Sequence, residues 1–156
     1  MSASTDVSAV VRGYLALMTP QRNNRYAMSQ YTVQKPWGLE RWLELNQWYA
    51  LKLIRMKPGK RCSLQYHREK VESNVVIRGD VTVIMAFPRG RGTVLKKRRF
   101  RAGEGWSVPA GVVHRVIAGP RGYSALECSS PQLDDVVRVA DDTKRGSGKI
   151  GTEHHG

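Results

Sequence analysis

The chain holds only two cysteines, Cys62 and Cys128, far apart and outside any CxxC spacing. That excludes a disulfide framework and leaves two thiols expected to be buried, in a reducing compartment. No apolar run approaches the ~20 residues that span a bilayer, which excludes a transmembrane helix in this stretch. Acidic residues are scarce, 13 Asp and Glu against 26 Lys and Arg, for a formal charge of +13 and a pI near 10.3. Phenylalanine is rarer still, with two. No helix-turn-helix, zinc-finger or RNA-binding signature accompanies the positive charge.

The cations gather in one run: Arg89, Arg91, Lys96, Lys97, Arg98, Arg99 and Arg101, with no acid among them. Aromatics are not interleaved there as a single-strand binder requires; Phe100 stands alone. A solvated basic surface, attraction of an anionic small molecule, and nucleic-acid binding compete as explanations. Nucleic acid ranks last.

A length of 156 residues, with 40% hydrophobic and 25% charged content, suits one domain with one core. Residues 1–30 read as an N-terminal extension. Val7, Val10, Val11, Tyr14, Leu15 and Met18 line one face of a short helix that Asp6 or Thr5 would cap and Pro20 would stop. Acid-poor, Arg-bearing beginnings also describe organelle transit peptides, and Met28 offers an alternative start. A poorly ordered terminus is the favoured reading. The expected location is the cytoplasm, with an organelle as the alternative if residues 1–27 are a transit peptide.

Residues 31–145 form the main domain, and residues 146–156 a flexible tail that carries His154 and His155 as solvent-exposed residues. From Gln34 onward the pattern is β. Segments 38–45, 48–56 and 61–66 read as strands, with a turn at Pro58-Gly59. Val75–Ile77, the turn Arg78-Gly79-Asp80 and Val81–Met85 read as a hairpin. Thr93–Arg101 reads as an edge strand whose cations discourage pairing. Trp106–Val108, Val113–Ile117 and Tyr123–Cys128 complete about nine short strands, which indicates an all-β sandwich or barrel.

Two segments carry the chemistry. One runs from Gly59 through Gln65, His67 and Glu72 to Gly79; the other from Gly103 through Pro109 and Gly111 to His114. Gln65 and His67 alternate onto one strand face. Glu72 returns past a short bend, and His114 arrives on a separate strand after a Pro-Ala-Gly turn. An amide oxygen, two imidazoles and a carboxylate meeting inside a barrel suit a divalent metal ion, with Zn, Mn, Fe, Co and Ni all compatible. Around them, Lys52 or Arg55 are candidates to face the pocket, and Trp37 to wall it. Glu69 and Lys70 lie near the motif and are open between a place at the site and solvent. The residues identify no catalytic base.

These segments resemble the cupin superfamily. Its first motif, Gly, five residues, His-x-His, three or four residues, Glu, six residues, Gly, is matched by Gly59, His67, Glu72 and Gly79, with Gln65 at the first His. Its second, Gly, five residues, Pro-x-Gly, two residues, His, three residues, Asn, is matched by Gly103, Pro109, Gly111 and His114, with Ala118 at the Asn. The resemblance implies a single-domain double-stranded β-helix, or jelly-roll barrel. More narrowly, Lys35-Pro-Trp-Gly38, Ser63-Leu-Gln-Tyr-His67, Val108-Pro-Ala-Gly-Val-Val-His-Arg115 and Leu133-Asp-Asp-Val-Val-Arg138 resemble type II mannose-6-phosphate isomerases and related stand-alone cupins. That family also occurs as the C-terminal domain of mannose-1-phosphate guanylyltransferases.

The narrower resemblance implies metal binding by Gln65, His67, Glu72 and His114, and a catalytic role for Arg138. It also implies a small-molecule substrate, a sugar phosphate, interconverted between aldose and ketose through an enediol. By the same resemblance a homodimer is expected. A non-catalytic metal- or sugar-binding cupin, or another metal-dependent enzyme such as an oxygenase, are the alternatives.

Overall fold

Alternation along each strand decides which side chains meet inside. In the computed structural model of the protein, which describes residues 30–143, 145 and 147–150, all ten strands pair antiparallel. They are β1 (Tyr31–Lys35), β2 (Gly38–Leu45), β3 (Ala50–Met56), β4 (Leu64–His67), β5 (Glu72–Arg89), β6 (Gly92–Arg101), β7 (Gly105–Val108), β8 (Val113–Ser129), β9 (Val136–Ala140) and β10 (Gly148–Ile150). A 3-10 turn at Leu133–Asp135 precedes β9. The all-β expectation holds. The expected N-terminal helix and the His154-His155 pair lie outside the described residues.

Two strands are far longer than their sequence suggests. β5 and β8 run side by side from Glu72↔Ser129 to Ala86↔Val113. The first half of β5 also pairs with β7, and its second half with β6. The late half of β8 pairs with β3, and His114 in its early half with β4. The two strands therefore belong to both faces of a curled sheet.

The bend occurs where the register slips, between Val76 and Arg78 and again between Gly79 and Val81. Gly79 has φ +81°, and a Cβ there would stand 2.2 Å from the Gly122 carbonyl oxygen. Only glycine allows that backbone approach. The expected hairpin at Arg78-Gly79-Asp80 is thus a bend in one continuous strand. The expected edge strand is found: among the described strands, β6 pairs with β5 alone.

The core follows the inward positions. Ile54, Met56, Val76, Val81, Val83, Phe100, Trp106, Val108, Val116 and Ala125 form its main cluster. Trp37 packs with them and also lines the interior cavity, the pocket-wall place expected of it. Fully buried Trp42 stacks on Tyr31 at 5.4 Å between ring centroids. Both cysteines are free; Cys62 is half-buried, while Cys128 is exposed, contrary to the expected buried pair. Cys128 alternates outward because its neighbour Glu127 faces in.

Candidate metal centre

β4 places Gln65 and His67 on its inward face. Gln65 stands opposite His114 of β8 on one side and opposite Arg138 of β9 on the other. After His67 the chain must turn back to deliver Glu72. Asp135 holds that turn, its Oδ2 accepting from the amides of Glu69 at 2.6 Å and Lys70 at 2.8 Å. Ser130 Oγ accepts from the Val71 amide at 3.1 Å. Burial works against an ionised Asp135, but the amides of Lys70, Glu69 and Arg68 lower its pKa. The turn before His114 is tied to β4 directly: the Gly111 amide, at φ +77°, donates to the His67 carbonyl at 2.6 Å.

The three strand ends converge. One nitrogen each of His67 and His114 and a carboxylate oxygen of Glu72 lie within 4.8 Å of one another, all buried. His67 Nε2 is 3.6 Å from Glu72 Oε2, and His114 Nε2 is 3.7 Å from Glu72 Oε1. Ligands at about 2.1 Å around a tetrahedral ion stand roughly 3.4 Å apart, so the spacing is close to a coordination edge.

The protonation states agree with ligation. His114 Nδ1–H donates to the Val112 carbonyl at 3.0 Å, which fixes the tautomer with the Nε2 lone pair turned to Glu72. Burial lowers the pKa of His114, keeping the ring neutral although Glu72 acts the other way. Neither ring nitrogen of His67 has a hydrogen-bond partner among the described residues, in a side chain 1% exposed. A buried imidazole without partners is costly unless something accepts its lone pair. Gln65 lines the same cavity, its Oε1 accepting from Ser63 Oγ at 2.6 Å. That oxygen has a second lone pair to offer. The residues present therefore fit a divalent ion.

The surroundings were not all foreseen. Of Glu69 and Lys70 it is Lys70 that turns to the site: it is 2% exposed, and its Nζ donates to Glu72 Oε2 at 2.8 Å and Glu127 Oε1 at 3.3 Å. Lys52 Nζ stands 2.7 Å from Glu127 and 4.8 Å from the Trp42 ring centroid. Lys35 is 3.8 Å from Glu40. Burial lowers the pKa of Lys70, but Glu127 and Glu72 outweigh it and raise it above the ordinary lysine value. Burial likewise raises that of Glu72, and Lys70 with the two imidazoles outweighs it, holding Glu72 well below the usual carboxylate range.

Lys52 faces inward because Ala50, Lys52, Ile54 and Met56 alternate onto one face; Arg55 falls outward. Glu127 and Asn74 were missed altogether. Lys52, Glu127, Asn74 and Trp106 form one inward row across β3, β8, β5 and β7. Tyr123 and Ala125, on the alternate positions before Glu127, were the available signal.

The cavity measures about 60 Å³. That holds an ion and water, well below the ~300–1,000 Å³ of small-molecule pockets. Arg138 is buried on β9 with Nε 3.6 Å from Asp141 Oδ2, and it is not among the cavity's lining residues.

Comparison with known proteins bears on the family and the fold. The family model described as mannose-6-phosphate isomerase C-terminal matches residues 22–141. The xanthan biosynthesis protein XanB of Xanthomonas campestris pv. campestris, in two strains, is 30% identical over 113 residues, covering 70% of this chain and 22% of that protein. The chain thus spans about a fifth of the length of these curated relatives. Among solved structures, oxalate decarboxylase from Bacillus subtilis superposes with a TM-score of 0.62 at 20% identity, over 71% of this chain and 30% of the other. CapF does so at 0.62 and 13% identity, over 72% and 35%. At such identities the structures report the fold, a cupin barrel. No described helix is long and apolar enough to cross a membrane. The extent of the family match, over the same strands that build the site, makes this chain a member of the mannose-6-phosphate isomerase C-terminal family.

Proposed function

We propose that the protein is a metal-dependent cupin whose interior binds one divalent ion on His67, Glu72 and His114, with Gln65 as a fourth ligand, and that it isomerises a sugar phosphate between aldose and ketose. The observation that carries this reading is the convergence of two imidazole nitrogens and one carboxylate within 4.8 Å. When bound, the ion would supply a Lewis acid for a carbonyl oxygen. Gln65 is oriented by Ser63, and His114 by the Val112 carbonyl. Lys70, held protonated beside the cavity by Glu127 and Glu72, is a donor for developing negative charge and not a base, and Lys52 pairs with Glu127 next to it. Arg138, beside Gln65 in register, is the proposed partner for phosphate or an enediolate through its planar fork.

A coupled assay for fructose 6-phosphate formed from mannose 6-phosphate tests the activity, with Arg138→Ala as the discriminating variant. Turnover that depends on added metal and falls at least about tenfold in the variant supports the reading.

A specific observation favours a second reading, a metal-binding cupin without turnover. Buried Lys52 and Lys70, with Lys35 beside Glu40, already balance the charge of Glu40, Glu72 and Glu127 around a cavity of about 60 Å³, too small for a hexose phosphate. Metal binding with no isomerisation by the wild-type protein would select it.

A further inference from the structure

The outer surface carries a second recess, over the bend in β5 and β8. It measures about 910 Å³, within the range of small-molecule sites. Arg55, Arg78 and Arg121 line it, with Ser124 and the apolar Leu53 and Ile77, and among the described residues no carboxylate does. None of the three guanidiniums has an ion pair or hydrogen bond among the described residues. Ser124 stands in register with Arg55 on one side and Arg78 on the other. Directly paired residues share a sheet face, and neighbouring strands lie about 4.8 Å apart. Two arginine positions therefore flank a hydroxyl across a span of roughly 10 Å.

Three cations of the basic run on β6 are placed differently. Arg99 pairs with Asp80 at 2.8 Å, while Lys96 and Arg98 lie over the rings of Phe87 and Phe100. Those cations have local partners. The three arginines of the recess have like charges for company, which costs free energy unless an anion answers them.

We infer that this recess is a binding site for an organic diphosphate. Its phosphates would meet Arg55, Arg78 and Arg121, and its organic part would lie on Leu53 and Ile77. A single phosphate, at about −1.5 to −2, leaves a guanidinium uncompensated, whereas two linked phosphates answer all three. The site is separate from the metal centre. Met56 and Tyr123 line both spaces and so form the wall between them. Gly79, at the recess, is about 20 Å along β5 from Glu72.

Titration calorimetry of the full chain, stripped of metal, with inorganic pyrophosphate and with ADP tests this. One equivalent of each should bind, more tightly than inorganic phosphate. Arg55→Gln with Arg78→Gln should weaken binding by about a hundredfold, roughly tenfold for each lost charge-assisted contact. Both arginines are exposed, so the double variant should melt like the wild type. Lys97→Gln and His67→Ala should bind as the wild type does. Absence of pyrophosphate binding, or equal binding by the double variant, overturns the proposal. Loss in His67→Ala would move the anion to the metal centre, and loss in Lys97→Gln would move it to β6; either also overturns it.

Discussion

Lys70→Met probes the buried charge network where it touches the candidate metal ligand. At an effective dielectric near 20, the 2.8 Å contact with Glu72 is worth about 6 kcal/mol of attraction and the 3.3 Å contact with Glu127 about 5 kcal/mol. Relief from burying the ammonium returns several of these, and the usual net cost of orphaning a buried carboxylate is about 3–5 kcal/mol. Against a typical total of about 5–15 kcal/mol, the metal-free variant should lose a large share of its stability. Its melting temperature should fall by about 10–20 °C.

An added divalent ion should reverse the order of effects. Lys70 and an ion compete for the same Glu72 oxygen, so the variant should bind metal more tightly and gain more in melting temperature from it. Thermal and urea unfolding, followed by circular dichroism with chelator and then with Zn or Mn, reads both quantities. A metal-free variant within about 1 kcal/mol of wild type would refute the reasoning about the network. Weaker metal binding in the variant would refute the competition.

Three further outcomes follow from the geometry. Asp135→Ala should cost about 2–3 kcal/mol at pH 7, since it orphans the amides of Glu69 and Lys70. The depressed Asp135 pKa gives stability that is full above about pH 4 and lost as pH falls through the folded value, so urea midpoints of variant and wild type should converge in acid. Gly79→Ala should cost about 2–4 kcal/mol or prevent folding, because φ +81° and the Gly122 carbonyl oppose a methyl; a neutral melt would contradict the bend. With the thiol of Cys62 pushed up to about 12 by burial, alkylation at pH 8 followed by mass spectrometry should label exposed Cys128 first and Cys62 only on unfolding.

Much of this was legible because strand alternation and turn chemistry are local. Gln65 and His67, two apart, share a face, and the Pro109-Ala-Gly111 turn introduces His114 as its residues suggest. The long strands were not legible. Gly79 reads as a hairpin turn in isolation, and only the approach of the Gly122 backbone makes it a bend. Lys70 reads as open between site and solvent because its partners, Glu72 and Glu127, reach it from two other strands. The recess was invisible for the same reason: Arg55, Arg78 and Arg121 become neighbours only through the register of β3, β5 and β8.

The central claim is that two histidines and a glutamate hold a divalent ion inside the barrel. Elemental analysis of the purified protein beside His67→Ala and His114→Ala tests it most directly. The account predicts close to one divalent ion per chain in the wild type and strong loss in both variants, with circular dichroism showing the β-fold retained. Metal content that stays unchanged in both folded variants would contradict it.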